Sequence, residues 1–178
     1  MRSGRAAHVV ATVVVAAAGL SSCGSDDEAQ AVAALKSQIV ANNSMVSDTA
    51  ISDEQSTCIA RGAVDAITVD RLQDYQILDD RLDVQKRLSE VPLSAKDADA
   101  LAGVYLECSD AERIVEDRLV ARLAPAGKSR AARRAKITAC VRDAVTADVV
   151  RDILAQSFQK TGATAYTRLV EQLGACRG

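Results

Sequence analysis

Ser94-Ala95-Lys96-Asp97-Ala98-Asp99-Ala100-Leu101-Ala102-Gly103-Val104-Tyr105-Leu106-Glu107-Cys108 is the stretch whose reading decides the fold. Serine followed three residues later by an acidic residue is a helix-start signal, because the hydroxyl accepts from a backbone N–H that has no partner inside the helix. Behind it, Ala98, Leu101, Tyr105 and Cys108 recur at steps of three, four and three. That spacing keeps them on one helical face. It predicts a helix over about 95–108 with Cys108 on the inward side.

The same signals recur on both sides. Upstream, a helix is expected over about 28–41, with Val32, Leu35 and Ile39 in line, until Asn42-Asn43-Ser44 breaks the pattern. Ser52-Asp53-Glu54-Gln55 reads as a capping box opening a helix over about 53–67, with Ile59, Gly62, Ala63, Ala66 and Ile67 inward. Thr68-Val69-Asp70 opens a short helix to about Leu78. Asp79 or Asp80 is expected to cap another to about Leu88, and Pro92 ends that region. Downstream, Ser109-Asp110 leads a helix to about 123 with Ile114, Val115, Leu119 and Leu123 inward and an Arg113–Asp117 surface pair. After the Pro125-Ala126-Gly127 loop, Ser129 is expected to cap a helix over about 130–145. Thr146 or Asp148 starts the next, with Val149, Ile153, Leu154 and Ser157 or Phe158 on one side. Thr164 caps a last helix in which Tyr166, Leu169, Val170, Leu173 and Cys176 share a face. Strict alternation is sustained nowhere, so the body is expected to be an all-α bundle of about six to eight short helices.

The beginning of the chain sets an address. Arg2 and Arg5 precede an apolar run from Val9 to Leu20, which is shorter than the roughly 20 residues a membrane-spanning helix needs. Leu20-Ser21-Ser22-Cys23 follows, and then a polar, acidic stretch. This resembles the lipobox of bacterial lipoproteins. The resemblance implies cleavage between Ser22 and Cys23, a lipid on the Cys23 thiol, and attachment to the outer face of the cell membrane. Two acyl chains at one site anchor stably where one is marginal. The expected organisation is a signal peptide at 1–22, lipidated Cys23 with a short tether to 27, and one helical domain over 28–178.

Four further cysteines, Cys58, Cys108, Cys140 and Cys176, are even in number and lack Cys-x-x-Cys spacing. In an exported chain that points to two disulfides and away from a zinc ribbon or thioredoxin-like site. The halves, 50–108 and 109–178, resemble each other. Cys58-Ile59-Ala60 precedes Val69-Asp70-Arg71-Leu72 as Cys140-Val141-Arg142 precedes Val149-Val150-Arg151-Asp152, and Leu101-to-Cys108 matches Leu169-to-Cys176 in length. If this is a repeat, the simplest pairing is Cys58–Cys108 with Cys140–Cys176. The pairing Cys108–Cys140 with Cys58–Cys176 would instead tie the halves together, and spacing alone does not choose.

These elements resemble a group of uncharacterised actinobacterial lipoproteins, which share a lipobox, Cys-(Ile/Val)-Ala-x-x-x-Val-Asp, a Val-Asp-x-Leu step, a Leu-Ser-x-x-Asp-Ala cap and paired terminal cysteines. The corresponding residues are Cys58 to Asp65, Val69 to Leu72, Leu93 to Ala98, and Cys108, Cys140 and Cys176. The glycine of that group's Ile-Gly-Val-Asp step is Thr68 in this chain. The resemblance implies no activity.

Composition narrows the function classes. The one histidine, His8, falls in the signal peptide, so the body is expected to have no Ser-His-Asp or Cys-His site and no imidazole metal ligand. Tyr75, Tyr105, Tyr166 and Phe158 are the only aromatics. Base-stacking platforms are therefore not expected. Loss of Arg2 and Arg5 makes the formal charge of −2 two units more negative, against nucleic-acid binding. No glycine-rich phosphate loop or cofactor motif is present, and no catalytic, cofactor or metal residue is assigned. Asp79, Asp80, Asp83, Asp97 and Asp99 read as caps and solvated faces. Arg130, Arg133 and Arg134 fall on one helical face and are candidate contacts to anionic head groups or an acidic partner. The expected function is a membrane-anchored binding or scaffold module that meets an envelope protein. The alternatives are, in order, a small helical carrier of an apolar ligand and an enzyme of unrecognised type.

Overall fold

A computed structural model describes residues 23–43, 51–124 and 131–177. Ser22 and the rest of the expected signal peptide, the Pro125–Gly127 loop, Ser129 and Arg130 lie outside the described residues. Among the described residues the chain is all-helical: α1 (Cys23–Asn43), α2 (Asp53–Ile67), α3 (Val69–Asp74), α4 (Ala95–Cys108), α5 (Ala111–Leu123), α6 (Ala131–Ala144), α7 (Ala147–Gln159), α8 (Thr164–Gln172) and a final 3₁₀ turn (Leu173–Arg177). An isolated bridge between Leu78 and Val84 is the one β feature there.

The local starts follow side-chain chemistry. Ser52 and Gln55 form the reciprocal capping box of α2: the Gln55 N–H donates to the Ser52 Oγ at 3.1 Å, and the Ser52 N–H to the Gln55 Oε1 at 3.0 Å. Thr146 caps α7 through the Val149 N–H. Other expected starts differ. Asp110 makes no side-chain cap; its carboxylate pairs instead with Arg113 at 2.9 Å, closer than the expected Asp117 at 3.9 Å. Ala163 rather than Thr164 precedes α8, and the Gln156 side chain reaches across to accept from the Ala165 N–H. Helix α1 begins at Cys23, so residues 24–27, expected to precede the first helix, lie in its first turn.

The expected helix over 79–88 does not form. The Asp79 carboxylate accepts from the backbone N–H groups of Arg81 and Asp83, each at 2.9 Å, and from the Gln85 side chain. An aspartate that satisfies nearby backbone donors itself favours a turn over a helix. Gln76 and Leu82 take positive φ, which closes the loop. Helix α1 then holds it down: Gln30 donates to the Arg81 carbonyl and Gln38 to the Lys86 carbonyl.

Helix α4 occupies the centre, between α2 and α7, and α1 covers α2 from outside. Helix α5 packs on α6, α6 on the final 3₁₀ turn, and α7 on α8. Two apolar cores result. One gathers Leu35, Ile59, Ile67, Leu72, Ile77 and Leu101, with Phe158 inserted from α7. The other gathers Leu119, Ile137, Val141, Val150, Leu169 and Leu173. Leu154 on α7 packs against both. On α2 the buried face is Ile59, Ala60, Ala63, Val64 and Ile67; Ala66, expected inward, is exposed.

Each half carries its own disulfide. Cys58 pairs with Cys108 at a Cα–Cα distance of 5.5 Å, and Cys140 with Cys176 at 6.0 Å. The cross-half pairing is not adopted. The first bridge staples the α2–α4 contact where Gly62 lets the helices approach: a Cβ there would lie 2.5 Å from a Val104 methyl. The halves are not equivalent throughout, since α3 has 6 residues and its counterpart α7 has 13.

Thr68 joins α2 to α3 with φ 70° and ψ 152°. That region is nearly restricted to glycine, and strain there costs about 1–3 kcal/mol. Thr68→Gly removes the strain and adds chain entropy to the unfolded state, worth about 0.5–1 kcal/mol in the other direction. The substitution is expected to raise stability by about 1 kcal/mol, read as a higher urea midpoint at unchanged slope. A lowered midpoint contradicts the strain.

Candidate functional site

Two constellations stand out: a buried carboxylate at the start of α4 and a cavity where the two cores meet. The carboxylate belongs to Asp97, which is 2% exposed. One of its oxygens, Oδ2, accepts from the Tyr75 hydroxyl at 2.6 Å, from the Ser94 hydroxyl at 2.8 Å and from Arg71. The Asp97 N–H donates to the Ser94 Oγ, the expected cap. In a capping box the fourth residue would also reach back to the Ser94 N–H. Here the Tyr75 hydroxyl accepts from it instead, at 2.9 Å, which frees Asp97 to bind Arg71. Burial pushes the Asp97 carboxyl up, but hydrogen bonds from Tyr75, Ser94 and Arg71 outweigh it and hold it below its ordinary range. The Tyr75 and Asp97 contacts raise the Arg71 guanidinium. A carboxylate so stabilised is a poor proton acceptor. The cluster is a lock between α3, the turn after it and α4.

The cavity has a volume of about 390 Å³, within the roughly 300–1,000 Å³ of small-molecule sites. Ile39 from α1, Leu88 from the loop, Ile114 and Val115 from α5, and Ile153 and Leu154 from α7 supply apolar wall. Tyr105, Tyr166, Gln38 and three serines, Ser89, Ser109 and Ser157, add polar atoms. Arg87 and Arg118 are the charged residues that line it among the described residues. Burial raises the Tyr105 phenol to about 12, so it stays a protonated donor at neutral pH. Its ring lies 5.4 Å from that of Phe158, centroid to centroid.

The remaining sequence candidates are spread out. Asp99 makes a bidentate pair with Arg151 of α7 at 2.8 and 2.9 Å. The Asp79 carboxyl is held below its ordinary range, first by the Asp83 backbone N–H, as the organiser of its loop. Arg133 and Arg134 are exposed on α6 and do not line the cavity. Among the described residues no group of three or more His, Cys, Asp or Glu side chains is placed to hold a metal ion, and no helix is long and apolar enough to cross a membrane. Sequence reading missed the Arg71–Tyr75–Asp97 link, although Arg71 and Tyr75 stand four apart, and it allowed a ligand space between helices without placing it. Comparison with protein families, with curated proteins and with solved structures finds no match.

The lock has a pH signature. Asp97 is held below its ordinary value of 3.8, so its contribution is full above that value and is lost as pH falls through the lower folded value. Asp97→Asn is expected to cost about 1–3 kcal/mol near neutrality, the range for a broken buried hydrogen-bonded group. The gap to the unsubstituted chain should narrow as pH falls below 3.8. Urea titrations across that range read it directly; a gap independent of pH contradicts the ionised lock.

Proposed function

We propose that this chain is an exported binding protein, anchored to the outer face of a cell membrane through lipidated Cys23, whose helical body carries an apolar ligand. The observation that carries the ligand reading is the cavity at the seam of the two cores, with an apolar wall drawn from α1, α5 and α7. An apolar-walled cleft of this volume with a few polar groups is the usual form of a small-molecule site. Sequence alone favours a scaffold that meets an envelope protein. The cavity moves the small carrier ahead of that reading. The anchor rests on Arg2 and Arg5, the apolar run to Leu20, and Cys23 after two serines.

The two parts separate in one experiment. Cys23→Ser should shift the chain from the membrane fraction to the soluble fraction. The released chain should take up the neutral apolar probe N-phenyl-1-naphthylamine with a saturable rise in fluorescence. Ser157 is exposed and lines the cavity, so Ser157→Phe fills it without cutting into either core. That variant should bind the probe at least about tenfold more weakly, a loss of roughly 1.4 kcal/mol, with unchanged circular dichroism. Uptake unaffected by Ser157→Phe counts against the carrier. Retention of the Cys23→Ser chain in the membrane counts against the anchor.

A further inference from the structure

We infer that the ligand of this cavity is an uncharged, mainly hydrocarbon molecule with one carbonyl oxygen, which accepts a hydrogen bond from the Tyr105 hydroxyl. The inference rests on the carrier reading and names both its ligand class and the residue that selects it.

The polar atoms around the cavity divide by whether the protein already uses them. Gln38 donates to the Lys86 carbonyl, Ser109 donates to the Tyr105 carbonyl at 2.6 Å, and the Tyr166 hydroxyl accepts from Arg122. Arg87 pairs with Glu90, and Arg118 is engaged as well, so neither is a cation in need of an anion. Ser89 and Ser157 are exposed, where water can serve a hydroxyl. Tyr105 differs from all of these. Its ring lies against Phe158 and packs on the first core, yet no described residue hydrogen-bonds its hydroxyl.

A buried tyrosine hydroxyl usually finds a partner, and a desolvated donor left without an acceptor is costly. Among the described residues no sealed side-chain polar atom lacks a partner, so the Tyr105 hydroxyl opens onto the cavity that it lines. Burial raises its phenol to about 12. At neutral pH it therefore keeps its proton and can donate. A ketone or ester carbonyl accepts that bond and brings no donor that would need a partner of its own. The rest of the ligand meets Ile114, Val115, Ile153 and Leu154. A carboxylate or ammonium would place a charge against this wall with the neighbouring arginines already engaged, which is costly. A hydrocarbon with no acceptor would leave the hydroxyl unpaired, and sites built to hydrogen-bond a ligand discriminate strongly against such analogues.

The test uses the full chain carrying Cys23→Ser and three probes on one ring: 2-acetylnaphthalene, 2-isopropenylnaphthalene, in which C=CH2 replaces the carbonyl, and 2-naphthoate. Displacement of N-phenyl-1-naphthylamine gives each affinity. Tyr105→Phe removes only the hydroxyl. It should weaken the ketone about fivefold to tenfold and leave the alkene unchanged. The carboxylate should bind about tenfold or more weakly than the ketone. Infrared spectra add a readout that needs no variant: the carbonyl stretch of the bound ketone should lie below its position in hexane, and Tyr105→Phe should return it toward that position. A ketone affinity unchanged by Tyr105→Phe, or a bound carbonyl band at its hexane position, overturns the role of Tyr105 and leaves the carrier standing. Naphthoate binding as tight as the ketone overturns the uncharged class and also leaves the carrier. Failure of both ketone and alkene to bind, or binding that survives Ser157→Phe, overturns the carrier and the inference together.

Discussion

A carboxylate that is 2% exposed must be paired or neutralised, because burying an unpaired charge costs several kcal/mol. Asp97 meets that demand at the first turn of α4, and most of the architecture follows from how it does so. Its partners come from α3 and the turn behind it, so α4 has one position relative to them. Along the same helix, Asp99 grips Arg151 of α7, Val104 packs onto Gly62 of α2, and Cys108 closes the bridge to Cys58. The four contacts are spaced from end to end of α4. Sliding or rotating the helix would break several at once.

That fixed helix also explains why there are two cores and a space between them. Helix α4 is covered by α2 and α7, and α5 leaves it after Ser109 to build a separate core with α6 and the final 3₁₀ turn. The first core is sealed by Phe158 and by the backbone bond from the Leu93 N–H to the Phe158 carbonyl. Lys160 adds a bond to the Ser89 carbonyl at the same end of α7. Ile114 and Val115 of α5 and Ile153 and Leu154 of α7 are only half-buried. They wall the cavity. The site is a consequence of how the two cores divide the helices, with the second disulfide, Cys140–Cys176, bracing the far core.

Much of this was legible in the sequence because helices are local. The stripe from Ala98 to Cys108, the caps at Ser52, Ser94 and Thr146, and the inward Leu119 and Leu169 all rest on residues within a few turns of one another. The helix expected over 79–88 failed for an equally local reason, since the Asp79 side chain serves the backbone donors of a turn. What the sequence could not reveal is non-local. Tyr75 displacing Asp97 from its capping role joins residues 22 positions apart. The cavity gathers side chains from positions 38 to 166, and hydrophobic periodicity marks them only as inward. The cysteine pairing sat between: the internal similarity favoured one solution, and geometry was needed to choose it.

The central claim is that the seam between the two cores holds a hydrophobic ligand, and native mass spectrometry of the chain carrying Cys23→Ser tests it most directly. The chain should carry the mass of a bound apolar ligand, lost on organic extraction, while the polypeptide itself stays lighter by the four hydrogens of its two disulfides. A chain that carries the disulfides and no added mass, even after exposure to a mixture of cellular lipids, would contradict the carrier reading.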